Sequence, residues 1–144
     1  MGIWHHEPSL DALNSMLENT MDGHLGIQFT EAGDDYIKAT MPVDERTRQP
    51  FGLLHGGASV VLAESLGSVA AHLCVDPATR FCVGLEINAN HVRAVRKGTV
   101  TGTATPLHIG GRTQVWEIKI RNEKGQLTCV SRITLSVQTH KHAQ

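Results

Sequence analysis

Apolar and polar positions alternate along most of the chain, and one stretch stands apart because it hardly alternates at all. Ser9 is placed to N-cap a short helix from Leu10 to about Asn19, with Leu10, Leu13 and Leu17 on one side. Leu25, Ile27 and Phe29 alternate as a strand does, and so do Ile37, Ala39 and Met41. The turn Gly33-Asp34-Asp35 joins them into a predicted hairpin. Pro42 to Phe51 holds two prolines and reads as loop. From Gly57 to Cys74 the chain is apolar or small nearly all round, without proline, which predicts a helix buried on most sides. Its eighteen residues would span about 27 Å. Asp76-Pro77 ends it. Alternation then resumes at Val83 to Ala89, Val100 to Ala104, Trp116 to Ile120 and Cys129 to Val137. Long antiparallel strands with one helix on one face give an α+β fold. The polar tail Thr139–Gln144 is expected to fray.

Length and composition narrow this further. At 144 residues, 40% hydrophobic and 19% charged, the chain suits one domain over 1–144, with its core at about 20–138. A net charge of −1 argues against a global grip on nucleic acid or an anionic membrane. No stretch approaches a membrane span, and Met1 to His6 shows neither a secretion signal nor a myristoylation pattern. Cys74, Cys82 and Cys129 form no CxxC pair, so reduced thiols in a cytoplasmic protein are expected. Nine histidines occur without H-E-x-x-H or zinc spacing, and His5, His6, His140 and His142 sit in the termini, so no metal site is expected.

Candidate chemistry concentrates in the unusual helix. Glu64 is its only charged residue, with Val60, Val61, Gly67 and Ser68 three and four positions away. A carboxylate in such surroundings is costly unless paired, and burial would raise its pKa. It is a candidate base or nucleophile; a structural hydrogen-bonding role is the alternative. Ser68 lies beside it on the helix surface, placed to orient a water or merely to pack. His55-Gly56-Gly57 opens the helix, where unpaired N–H groups could form an oxyanion hole, hold a phosphate, or simply make a turn. Eight residues separate Gly56 from Glu64, or about 12 Å of rise. One carbonyl carbon cannot touch both, because reacting atoms need about 3–3.5 Å. If both serve one reaction, they come from two chains, and a homodimer with two shared sites is expected. Arg93, Arg96, Lys97 and Arg112 could form a cationic rim for phosphates, or a solvated strand end.

At these residues a resemblance appears. The run from Gln49 to Ser68, extended by Met41-Pro42-Val43-Asp44, Gly84 to His91 and Gln114-Val115-Trp116, resembles the hot-dog-fold acyl-CoA thioesterases over about residues 3–138. It is similar in particular to the branch related to the phenylacetate-pathway thioesterase. That branch includes enzymes acting on 1,4-dihydroxy-2-naphthoyl-CoA in menaquinone synthesis and the proofreading thioesterases of enterobactin synthesis. The resemblance implies a long central helix wrapped by five to six antiparallel strands. It implies dimers, commonly paired into tetramers, and no cofactor beyond the CoA of the substrate. Matched residue by residue, it implies Glu64 as catalytic carboxylate, Gly56 as oxyanion donor, His55 and Gln49 as orienting residues, and Ser68 as polar neighbour. It assigns the CoA arm to Gly84, to His91, Val92, Arg93 and Ala94, and to His108, Ile109, Gly110, Gly111, Arg112 and Thr113. The implied reaction is hydrolysis of an aromatic acyl-CoA. The alternatives are an aryl-carrier-protein thioester as substrate, a hydratase or dehydratase using His55 and Glu64, and acyl-CoA binding without turnover.

Overall fold

The computed structural model describes residues 2–141; His142, with the rest of the expected fraying tail beyond Lys141, lies outside them. Six strands form one antiparallel sheet: β1 (Gln28–Ala32), β2 (Ile37–Val43), β3 (Arg80–His91), β4 (Gly98–Ile109), β5 (Thr113–Arg121) and β6 (Leu127–Thr139). Their order is β1-β2-β4-β5-β6-β3, so β3 is an edge although it follows the long helix directly. That helix, α3 (Gly56–Leu73), packs against β2 to β6. This is the α+β arrangement expected, with a six-stranded sheet.

Alternation puts the strand side chains in place. Ile37, Ala39, Met41 and Val43 of β2 are all buried, as are Trp116, Ile118 and Ile120 of β5. They meet Leu62 and Leu66 of α3, whose side chains are fully buried. Burying a leucine stabilises by about 1.5–3 kcal/mol. Small residues let the helix come close. A Cβ at Gly67 would stand 2.4 Å from Ile133 Cγ2, and one at Gly102 of β4 would stand 2.6 Å from Leu66 Cδ1. At the C-terminal end of α3, buried Gln114 accepts from Trp116 Nε1 (2.8 Å) and donates to the Ala71 carbonyl (3.4 Å). Trp4 stacks on Trp116 with centroids 6.2 Å apart, and His5 N–H caps the Leu73 carbonyl at 2.7 Å.

Several expected boundaries shift. The first helix, α1 (Leu10–Ser15), stops before Asn19, which sits at φ 60. Thr20 then caps a second short helix, α2 (Met21–His24). Leu25 and Ile27 therefore belong to a turn closed by Gly26 at φ 78, and β1 starts only at Gln28. Pro42 and Val43 remain in β2 rather than opening the loop. The strands β3, β4, β5 and β6 outrun their alternating cores; bulges between Gly84 and Glu86 and between Pro106 and His108 break the period of two. Thr139 ends β6, and His140 N–H donates to the Thr79 carbonyl (3.0 Å), so the described part of the tail is held.

Gly67→Ala tests the close approach. Alanine raises helix propensity by about 1 kcal/mol, but overpacking against Ile133 costs about 1–3 kcal/mol. We expect a net loss of stability, read as a lower urea midpoint with unchanged m-value.

Candidate active site

The start of α3 is built by a compact turn. Gln49 Oε1 accepts from Phe51 N–H (2.6 Å) and Leu53 N–H (3.3 Å), and Gly52 takes φ 83. The Gln49 amide group remains to donate. Leu54 N–H and His55 N–H donate to the carbonyls of Val95 (2.7 Å) and Thr47 (2.8 Å), fixing the turn to its neighbours. His55 is the N-cap: its Nδ1 accepts from Gly57 N–H at 2.7 Å, which leaves the proton of a neutral ring on Nε2. The His55 carbonyl takes Ala58 N–H (3.0 Å) and Ser59 N–H (3.3 Å). Gly56 N–H thus differs from the next three: it takes no partner among the described residues. Gly56 lines a cleft of about 380 Å³ together with Gln49, Ser59, His91 and Arg93. His91 lies against it, since a Cβ on Gly56 would stand 2.9 Å from His91 Nε2.

Glu64 lies about two turns along the helix, and its setting corrects the sequence reading. It is exposed, not buried in apolar surroundings. The buried side of α3 meets the middle of the sheet, through Ala58, Leu62, Leu66 and Ala70 with Ala63 and Ala71. The outer side runs through Gly57, Val61, Glu64, Ser68 and His72, which are half-buried or exposed, with Glu64 and His72 reaching the edge strand β3. The desolvation argument therefore fails within one chain. Among the described residues the carboxylate takes no hydrogen bond or ion pair. It leans on β3: a Cβ at Gly84 would stand 2.9 Å from Glu64 Oε2. The Ser68 hydroxyl, one turn on, has no partner among the described residues either.

The expected CoA segments fall at opposite ends of the sheet. His91 pairs with Cys129, and Val92, Arg93 and Ala94 continue along the Gly56 cleft. Thr113 pairs with Ser136, the residue that also faces Val83. From Cys129 to Ser136 is seven residues of β6, or about 23 Å. The hairpin carrying His108, Ile109, Gly110, Gly111 and Arg112 is thus far from His91 of the same chain.

Sequence reasoning missed two features. Ser59 and Thr128 also line the Gly56 cleft. The spacing of three from Gly56 could have found Ser59, but Thr128 joins only through the sheet. An apolar groove of about 460 Å³ lies beside the last turns of α3, between Val69, His72, Leu13, Met16 and Pro77. The thiols offer no nucleophile: burial, then the neighbouring Cys82, pushes Cys74 up to about 11, and burial also raises Cys82 and Cys129. Among the described residues no cluster of His, Cys, Asp and Glu could hold a metal ion, and no helix is long and apolar enough to cross a membrane.

A family model described as the thioesterase superfamily matches residues 51–129, more than half of the chain. The chain belongs to that superfamily. It is 59% identical over 135 residues to the 1,4-dihydroxy-2-naphthoyl-CoA hydrolase of Escherichia coli, covering 94% of this chain and 98% of that protein. It is 51% identical over 135 residues to the proofreading thioesterase EntH of Cronobacter turicensis, with 94% and 98% covered. The crystal structure of a mutant thioesterase from Pseudomonas aeruginosa superposes with a TM-score of 0.96 at 49% identity, covering 96% of this chain and all of that one. A thioesterase structure from Haemophilus influenzae gives 0.94 at 51% identity, with 97% and 99% covered. The helix and six-stranded sheet of this chain form the hot-dog fold.

Two substitutions test the local contacts of this thioesterase. His55→Ala removes the acceptor for Gly57 N–H and is expected to cost about 1 kcal/mol in urea denaturation. Gly84→Ala needs only the flexible end of Glu64 to move, so its urea midpoint should stay at the wild-type value.

Proposed function

We propose that this thioesterase hydrolyses an aromatic acyl-CoA, with 1,4-dihydroxy-2-naphthoyl-CoA as its substrate, at sites shared between two chains. The observation that carries this reading is the unpartnered Gly56 N–H, set on the same rigid helix as Glu64 but about 12 Å away. A donor without a partner at a helix N-terminus suits a developing oxyanion. A second chain, related by a two-fold axis and paired antiparallel along the open edge of β3, would bring its Glu64 to this Gly56. Exposed Val83 and Leu85 on that edge, and the half-buried Val60 and Val61 on the open side of α3, support such an interface. The same two-fold would carry the hairpin of residues 108–113 toward the partner's end of the sheet where residues 91–94 lie. It would also restore cover to Glu64, which one chain leaves exposed. Pairing of dimers into tetramers follows from the family resemblance.

In this reading Gly56 N–H donates to the thioester carbonyl oxygen. Gln49, with its acceptor engaged and its amide free, and His55, through Nε2–H, orient the thioester and water. Glu64 of the second chain either attacks the carbonyl carbon, giving an anhydride that a water then hydrolyses to the free acid, or takes a proton from the attacking water and gives it up after the CoA thiolate departs; its Ser68 holds that water. The C–S bond breaks, and CoA leaves as a thiolate that needs little help from an acid. Gly84, His91 to Ala94 and His108 to Thr113 hold the CoA arm. The naphthoyl rings are assigned to the apolar groove beside Val69 and His72. The superfamily match and the His55-Gly56-Gly57 start of the helix weigh against a hydratase using His55 as acid and Glu64 as base. Three free cysteines fit a cytoplasmic setting.

The similarity to the proofreading enzyme makes the substrate the first thing to measure. Turnover of 1,4-dihydroxy-2-naphthoyl-CoA should exceed that of benzoyl-CoA and of aryl-carrier-protein thioesters in kcat/KM; preference for the carrier-bound substrate would overturn the assignment. Glu64→Gln should lower kcat by about 10³-fold. Gly56→Pro deletes the N–H at a first helical position that tolerates proline, and should lower kcat by about 10²-fold. Mixed and allowed to exchange subunits, these two inactive chains should recover about a quarter of wild-type activity, because half of the dimers then carry one intact site. Exchange seen by native mass spectrometry without recovered activity would exclude shared sites.

A further inference from the structure

The last turn of α3 carries a histidine whose two ring nitrogens are both committed to backbone. His72 Nδ1 lies 2.8 Å from the Ser68 carbonyl oxygen. His72 Nε2 accepts from the backbone N–H of Cys82 at 3.2 Å. An amide N–H can only donate, so Nε2 presents its lone pair and the ring proton sits on Nδ1, donating to Ser68. Cys82 pairs with Val137 on β6, but its N–H turns the other way, onto the open edge of β3. Among the described residues no further strand lies on that side to take it. One imidazole thus ties α3 to β3. It grips the helix one turn from Glu64 and the strand two residues from Gly84, against which the Glu64 carboxylate lies.

We propose that His72 is a positioning residue for hydrolysis: the tie from Ser68 to Cys82 sets the spacing between helix and edge strand, and so where the Glu64 carboxylate stands. This rests on the reading of Glu64 as the catalytic carboxylate. His72 also walls the apolar groove, and the two roles leave different traces. A wall acts on large acyl groups through KM. A misplaced carboxylate slows every acyl group by the same factor through kcat, since displacements below 1 Å are enough to slow a positioned reaction.

His72→Phe keeps ring volume and loses both hydrogen bonds. His72→Gln keeps an acceptor for Cys82 N–H and a donor for Ser68. Both are assayed as full chains with benzoyl-CoA and with 1,4-dihydroxy-2-naphthoyl-CoA, alongside hydrogen exchange at the Cys82 amide. We expect His72→Phe to lower kcat about tenfold on both substrates, with KM little changed and Cys82 exchange faster. His72→Gln should recover most of the kcat and the protection. A loss confined to KM for the naphthoyl substrate would make His72 a groove wall and overturn the proposal. Faster Cys82 exchange with unchanged kcat would reduce the tie to a structural one, and a glutamine variant as slow as the phenylalanine one would remove the hydrogen bonds from the argument. If the phenylalanine variant fails to fold, the glutamine variant carries the test: wild-type kcat with wild-type Cys82 protection upholds the tie, and wild-type kcat without protection overturns it. Glu64→Gln, measured in parallel, judges the reading beneath: full turnover there overturns the role of Glu64 whatever the His72 variants do.

Discussion

The nearness of α3 to its sheet is the constraint on which the other placements depend. Gly67 meets Ile133, Gly102 meets Leu66, and neither pair leaves room for a Cβ. Alanines 63, 70 and 71 fill the remaining contact without a trace of exposure. Close packing of this kind has few alternatives, because interiors transmit strain rather than absorb it. Turning the helix by one residue would swing Leu62 and Leu66 off the core and press Glu64 toward the sheet, at a cost of several kcal/mol. The helix is therefore fixed in rotation as well as in place. That is why Glu64 faces Gly84 and Gly56 faces His91.

The same rigidity keeps the two groups apart. A straight helix in a packed groove cannot bend its first turn back onto its third, so the separation of Gly56 and Glu64 is a fixed length. In the proposed mechanism this length is what requires a second chain. In that mechanism a two-fold partner would cover the outer face of α3, pair the exposed edge of β3 and bring its carboxylate to the unpartnered Gly56 N–H.

Much of the fold was legible in the sequence because two periods dominate it. The long helix was legible almost to the residue, since alanines, leucines and the absence of proline allow little else from Gly57 to Cys74. The alternating centre of each strand was legible too, but not its ends, where bulges at Gly84 and Pro106 shift the faces. The break at Asn19 and the cap at Thr20 look like ordinary helix residues in a string of letters; tertiary contacts choose between them. Of the candidate site, the isolation of Glu64 was visible and its burial was misjudged. An apolar position on α3 looks the same whether it meets this chain's sheet or a partner, so one sequence cannot tell the two faces apart. The tie between His72 and Cys82 had no linear signal, because it exists only where the edge strand returns beside the helix.

The site's chemistry follows from which polar groups are already occupied. His55 gives its Nδ1 to Gly57, Gln49 gives its carbonyl oxygen to the turn, and His72 gives both nitrogens to backbone. The thiol of Cys74 is held in its protonated form by burial. What stays open around the cleft and along the outer face of α3 is a set of donors, Gly56 N–H, the Gln49 amide and His55 Nε2–H, with His91 and Arg93 on the cleft wall and the Glu64 carboxylate and Ser68 hydroxyl further along the helix. Donors of that kind stabilise an oxyanion, a carboxylate supplies a nucleophile or a base, and in the proposed mechanism no group is assigned as the acid for a leaving group. An amide or an alkyl ester needs such an acid, because amines and alkoxides leave poorly unprotonated. A thioester does not, since a thiolate is stable near neutral pH relative to an alkoxide. The roles assigned in the proposed mechanism thus accord with a thioester, the substrate class for which the superfamily is named.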